Sequence, residues 1–159
     1  MADVELEALD LGYAALFLGY AYAEAVMARV EEQGYQGVRF AQGFLIQHLV
    51  GGEPTVGEVA EAQGVSPQAV SQALDELVAL GYVERRVDAE DARRRRLALT
   101  PLGWEMVEAT REARRSVEAS LVRRIGRRRT DEAAATLRDA LGALGGVEAV
   151  RTRRVRPPR

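Results

Sequence analysis

Residues 55–100 read TVGEVAEAQGVSPQAVSQALDELVALGYVERRVDAEDARRRRLALT, and the caps and turns written into this stretch leave it little freedom in how to fold. Thr55 with Glu58 three residues on is a capping box, in which the hydroxyl takes an orphan amide of the first turn while the carboxylate reaches back to the cap amide. A helix starts there. Val56, Val59 and Ala60 supply its apolar face, and Gly64 stands where a sharp turn between helices needs a backbone without a Cβ. Ser66 caps a second helix, with Pro67 at the first position, where the missing N–H is not needed. Val70, Ala73, Leu74 and Leu77 then recur at spacings of three and four and form one buried stripe, which leaves Gln68, Ser71, Gln72 and Asp75 on the opposite face.

Gly81 closes that helix. Residues 82–87 and 97–99 are β-branched, aromatic and aliphatic around a polar loop, residues 88–96, and so predict a hairpin. Its tip holds Arg93, Arg94, Arg95 and Arg96 in a row, with Arg85 and Arg86 on the incoming strand. A solvated loop balanced by Asp88, Glu90 and Asp91 would have the same composition; its place directly after two capped helices favours a wing. The order of elements is that of a winged helix-turn-helix. Its second helix, with amide and hydroxyl side chains able to reach base edges, is the predicted recognition helix. Guanidinium groups on the hairpin suit phosphates and a narrow minor groove.

A net charge of −2 is unpromising for a protein that meets a polyanion, but the charges are unevenly placed. Residues 1–84 carry 2 Arg against 13 acids, whereas residues 85–159 carry 20 Arg against 11. At 159 residues the chain is long enough for one domain with a real core. It has no Cys, which removes disulfide frameworks and thiol-based sensing. The start, MADVELEALD, is acidic, and no apolar run is read as approaching the ~18 residues of a membrane span. The expectation is a soluble, cytoplasmic protein with no membrane partner.

Outside the central motif the chain reads as helix. Residues 6–32 carry a stripe of Leu6, Leu9, Tyr13, Leu16, Phe17 and Tyr20. A helix over residues 40–50 stops at Gly51 and Gly52. Thr100 and Pro101 open a long helix to about Ile125, with Met106, Ala109, Ala113, Val117, Leu121 and Ile125 apolar. A last helix from Thr130 is expected to bury Ala134, Leu137, Leu141 and Leu144. The tail, residues 151–159, is basic and expected to be poorly ordered at its end. The whole is then a single mainly α domain: a winged-helix part over about 38–100, flanked by terminal helices over about 5–33 and 101–150. Those helices have more apolar surface than a small winged module can cover, which predicts a homodimer. Two recognition helices about one turn apart, ~34 Å, predict an inverted-repeat operator in double-stranded DNA.

The segments VGEVAEAQGVSPQAVSQALDELVALGYVERR and DAEDARRRRLALTPLG resemble the multiple antibiotic resistance regulator (MarR) family of transcription factors, and the resemblance extends over nearly the whole chain. It implies a winged-helix dimer joined by its first and last helices. It also implies a repressor of transcription released by a small, often phenolic or lipophilic, ligand. Carried over by position, Ser66, Gln68, Ala69, Ser71 and Gln72 fall at the groove-facing start of the recognition helix. Asp91 and Arg93 match the family's wing Asp-x-Arg pair, the Asp orienting an Arg that enters the minor groove; Arg86, Arg94 and Arg95 complete the expected DNA-binding set. Pro67 and Gln72 stand where relatives often carry a base, which shifts phosphate attraction to the wing.

Tyr13, Phe17 and Tyr20 on one helix face, with Phe44 and His48 on the next helix, could line an aromatic effector pocket or simply pack a dimer core. His48 is the only histidine, which disfavours a metal site. No cofactor is expected. Arg111, Arg114, Arg115, Arg123, Arg124 and residues 127–129 read as a solvated helix face, with Glu108–Arg111 and Arg114–Glu118 at pairing distance, rather than as a second nucleic-acid surface. The tail residues Arg153, Arg154 and Arg156 could touch phosphates. An enzyme is disfavoured: there is no Gly-rich phosphate loop with Lys, no Cys nucleophile and no second histidine. A winged-helix protein acting only through protein contacts is the alternative, and the arginine-rich hairpin argues against it.

Overall fold

A computed structural model describes residues 5–153; Arg154 and Arg156 of the tail lie outside the described residues. The order is a 3₁₀ turn Leu6–Ala8, then α1 Leu11–Glu32, α2 Gln42–Val50, α3 Val56–Gln63, α4 Pro67–Ala79, β1 Val83–Val87, β2 Arg95–Leu99, α5 Pro101–Ile125, α6 Arg127–Ala143 and α7 Val147–Arg151. The fold is mainly α with one antiparallel hairpin, as a winged helix-turn-helix requires.

The central caps form as read. Thr55 Oγ1 accepts from Glu58 N–H at 3.2 Å, and Thr55 N–H donates to Glu58 Oε2 at 2.6 Å. Gly64 adopts φ 62, ψ 41, the left-handed conformation that favours glycine. Ser66 Oγ accepts from Ala69 N–H. Val70, Leu74 and Leu77 of α4 are buried with Leu45, Ile46, Leu49, Val59, Val83, Leu97 and Met106 in one core. The hairpin is tied to the helices by backbone: Leu97 N–H donates to Pro54 O and Thr100 N–H to Tyr82 O. Close packing at that corner depends on Gly103, where a Cβ would lie 2.0 Å from Tyr82 O.

A second, smaller core joins α1 to α5 through Val26, Val30, Ala113 and Val117. It covers only the C-terminal part of α1. The stripe of Leu6, Tyr13, Leu16, Phe17 and Tyr20 is uncovered in the single chain, with Tyr20 68 % exposed, and the buried face lies nearer the C-terminal end. The helix also begins later than expected, because Asp10 accepts from Tyr13 N–H at 2.9 Å and caps it. α1 is long and apolar enough by length and composition to cross a membrane, against the expectation that no run approaches that length. Glu24 is the sole charge between Leu11 and Ala28; the interspersed Gly, Ala and Tyr hid the run.

Three further boundaries differ. α2 begins at Gln42, since Phe40 and Ala41 form the preceding turn. β2 begins at Arg95, so Arg95 and Arg96 belong to a strand and the wing loop is residues 88–94. α6 begins at Arg127 directly after Gly126, whose φ of 88 breaks the helical run. Its Ala134 and Leu137 are half-buried, while Leu141 and Leu144 are exposed in the single chain rather than buried. The short α7 beyond Gly146 was not anticipated.

Candidate nucleic-acid interface

α4 turns its apolar stripe to the core, and what remains outward is Ser66, Gln68, Ala69, Gln72 and Asp75, all exposed, with Ser71 half-buried. The first turn of α4 is thus free to approach a groove. The helix carries no basic residue at all; Asp75 and Glu76 are its only charges. Each acid is countered from elsewhere. Arg85 on β1 donates from Nη2 to Asp75 Oδ1 at 2.6 Å and to Ser71 Oγ at 3.3 Å. Glu76 takes Arg39, and Gln42 Nε2 at 2.7 Å, while Gln42 Oε1 accepts from Arg39 N–H. Gln42 is buried, so this second cluster pins α4 to the start of α2.

Ser71, expected among the base readers, is therefore engaged by Arg85. The signal that could have revealed this is the spacing Asp75–Arg85 across a helix end, a Gly81 turn and a strand start. Gln68, Ala69 and Gln72 remain outward beside Ser66, whose hydroxyl serves as a cap.

The hairpin register sets Arg86 directly opposite Arg96. Like charges across a pair repel, and acids relieve both. Arg86 pairs with Glu53 at 2.6 Å and Glu84 at 2.5 Å. Arg96 pairs with Asp88 and, at 3.3 Å, with Glu58. Backbone N–H donation from Glu90, then Arg96, holds the Asp88 carboxyl below its ordinary range. Hydrogen bonding from Thr55 does the same for Glu58. The hydrogen bonds that Arg86 donates to Glu84, and the charge of that carboxylate, push Arg86 further up. Arg86 and Arg96 are thus spent largely on holding the wing to the α2–α3 loop and the α3 cap.

Arg93 and Arg94 occupy the loop, Arg95 the strand edge. Asp91 accepts from Arg93 backbone N–H at 3.0 Å and pairs through Oδ2 with Arg94 at 3.5 Å. The carboxylate shapes the turn and engages the neighbouring guanidinium, whereas Arg93 has no ion-pair partner among the described residues. Arg95 donates to Ala92 O and Arg94 O.

The aromatic residues form two separate pairs. Tyr13 and Phe17 stack at 6.4 Å, and Phe40 meets Phe44 edge-on at 5.8 Å. Two surface cavities, of about 390 and 280 Å³, are lined by other residues: one by Tyr22, Arg114 and Arg127 with their neighbours, the other by Trp104, Arg86, Glu53 and residues around Leu49. Neither brings Tyr13, Phe17, Tyr20, Phe44 and His48 together. His48 is half-buried with Nε2 lacking a partner among the described residues, and burial, followed by the charge of Arg153, pushes its pKa down. On α5, Glu108 pairs with Arg111 as expected, but Arg115 pairs with Glu112 and no Arg114–Glu118 bridge forms. Both Arg114 and Glu118 instead face the larger cavity.

Comparison with known proteins agrees with this fold. No curated protein sequence matches the chain. The solved structure of MepR, a transcription regulator of the Staphylococcus aureus multidrug efflux pump MepA, is similar at 22 % identity, covering 86 % of this chain and 99 % of that one, with a TM-score of 0.67. YusO from Bacillus subtilis is similar at 24 % identity, covering 88 % and 99 %, also with a TM-score of 0.67. MepR has been solved in complex with DNA, at 22 % identity to this chain, coverage of 85 % and 98 % and a TM-score of 0.62, and bound to ethidium bromide. At these identities the likeness establishes the fold. The model of the MarR family matches residues 36–94, which span α2 to the wing loop. The central segment of the chain is thus similar to the MarR family, and the chain shares the winged-helix fold of MepR and YusO.

Proposed function

We propose that the chain is a sequence-specific DNA-binding transcriptional regulator, acting as a homodimer on an inverted-repeat operator in double-stranded DNA. The observation that carries this reading is the pairing of an outward polar helix start, Gln68, Ala69 and Gln72, with an arginine wing held at a fixed distance from it by backbone and ion pairs. Gln68 and Gln72 would read base edges. Arg93, Arg94 and Arg95 would take phosphates or the minor groove, and Asp91 would fix the loop that presents them. The complex of the similar MepR with DNA supports the docking.

The dimer reading rests on the uncovered apolar surface of α1 and of residues 141–150. As for regulation, we read the protein as a repressor released by a small aromatic or lipophilic ligand, for which the ethidium-bound form of MepR is the support. Tyr13, Phe17, Tyr20, Phe44 and His48 would contribute to such a site where a second chain completes it, since they line neither of the two surface cavities of about 390 and 280 Å³.

The test is selection of bound duplexes from random and genomic DNA, followed by repetition with a panel of aromatic compounds. Enrichment of a two-fold-symmetric site whose retention falls with salt is expected. Failure to retain any duplex at low ionic strength would sink the reading. Retention unaffected by every compound would remove the ligand from it.

A further inference from the structure

We infer that the dimer is held in register by a charge lock in which the acidic entry to α1 of one protomer seats against the arginine corner between α5 and α6 of a second copy. The inference rests on the dimer proposed above and names what fixes it.

Glu5, Glu7 and Asp10 are exposed, and none has an ion-pair partner among the described residues. They lead straight into the uncovered half of α1, where Leu11, Leu16 and Phe17 are each about half exposed or more. An apolar face with an acidic tip needs an apolar partner surface that ends in cations.

The chain supplies the cations. α5 ends and α6 begins in Arg123, Arg124, Gly126 and three consecutive arginines, residues 127–129, all exposed. Cations in a helix's first turn oppose its dipole, and Gly126 offers no side-chain cap to offset them. Among the described residues, Arg128 alone of these arginines has an acidic partner, Glu132. The adjoining cavity of about 390 Å³ adds Arg114 and the Tyr22 ring beside the acid Glu118, with Arg115 already paired to Glu112. Cations outnumber anions at the corner, where Asp131 and Glu132 follow the arginines, and the tip has no cationic partner among the described residues.

The two do not meet within one chain. Tyr22 lines the cavity, but Asp10 lies twelve residues earlier, about 18 Å away along a helix. DNA is disfavoured as the occupant, because the wing joins α5 at Thr100 and the corner lies at its far end, about 37 Å off for a helix of this length. In a two-fold dimer the contact forms twice.

The experiment uses the full chain in two variants. One reverses the tip with Glu5→Arg and Glu7→Arg, sparing the Asp10 cap. The other reverses the corner with Arg127→Glu, Arg128→Glu and Arg129→Glu, changes that agree with the helix dipole and keep the start of α6 favourable. Sedimentation over a dilution series, with circular dichroism to confirm helicity, should show each variant dissociating at about tenfold or more higher concentration than the parent. Raising salt should weaken the parent dimer more than either variant. An equimolar mixture should recover dimers near the parental concentration, because one contact is then natural and the other has both signs inverted. Variants that dimerise like the parent, or a loss that mixing does not repair, would overturn the lock. So would a corner variant that dimerises normally but loses DNA. A parent chain that stays monomeric at every concentration would instead remove the dimer itself.

Discussion

Arg85 offers the sharpest test of how the recognition helix is kept compatible with DNA. It lies on β1, yet its Nη2 reaches Asp75 at 2.6 Å and Ser71 at 3.3 Å on the outward face of α4. The side chains are 36 % and 66 % exposed, so in the free protein the pair is worth only ~0.2–1 kcal/mol. On DNA its removal matters more. In the proposed complex Arg85→Ala would leave the Asp75 carboxylate unneutralised; for a phosphate taken at about 8 Å, one unit repulsion with an effective dielectric near ~20 is ~2 kcal/mol, and salt brings it toward ~1. That is a loss of roughly five- to thirty-fold in affinity. Fluorescence anisotropy on the selected operator at fixed low salt measures it, as a double-mutant cycle with Asp75→Asn. In the Asp75→Asn background the same Arg85→Ala change should cost about twofold or less. An equal loss in both backgrounds would show that Arg85 meets phosphate itself, and the neutralising role would fall.

Arg93→Ala should weaken binding to every duplex alike and lower the slope of log affinity against log salt by ~0.9, whereas Gln72→Ala should change preference at particular base pairs by ~1 kcal/mol or more; titrations on matched and scrambled operators separate the two. Gly103→Ala would place a Cβ 2.0 Å from Tyr82 O, and since a backbone atom cannot step aside, thermal unfolding should show a loss of ~3 kcal/mol. Acid should weaken the wing: Glu58 and Asp88 have pKa values lowered from 4.5 and 3.8, so their stabilisation is present above those values and fades as pH falls through the lowered ones. His48 is lowered from 6.5 by burial and Arg153, so stability should be fullest above that pH and decline as pH falls from there toward the lowered pKa, because the unfolded chain then binds more protons. Melting temperatures across pH 3–8 check both, and the His48→Gln variant should lose only the upper step.

What the sequence disclosed was whatever is decided locally. The Thr55–Glu58 box, the left-handed Gly64, the Ser66 cap and the stripe of Val70, Leu74 and Leu77 each depend on residues within a turn or two, and each forms as read. The ion pairs of the wing were not legible, because they depend on strand register and on a distant loop: Arg86 stands opposite Arg96 only once β2 is known to begin at Arg95, and Glu53 enters from the α2–α3 connection. The end of α6 was misread, and the partner of the first half of α1 left open, for a different reason. Their periodicity marks apolar faces, but periodicity does not say which chain covers them, and within one chain Tyr20 and Leu144 stay largely exposed. The start of α6 was misplaced because Arg127 and its neighbours carry no cap signal, while Gly126, the residue that breaks the run, is unremarkable in sequence.

In the proposed dimer, charge distribution would tie DNA affinity to assembly. α4 brings no cation to the groove, and Arg86 and Arg96 are committed to acids within the fold, so one module offers chiefly Arg93, with Arg94 and Arg95 less freely, to the phosphates. A few phosphate contacts give weak binding at moderate salt. Two modules on one duplex double that number, and the second binds at the high effective concentration its partner imposes. Salt then acts twice, screening the wings from the phosphates and the acidic α1 entry from its arginine corner. The dependence of operator retention on salt should therefore be steeper at protein concentrations near the dimer dissociation constant than well above it. A slope independent of protein concentration would mean that assembly and DNA binding draw on different forces.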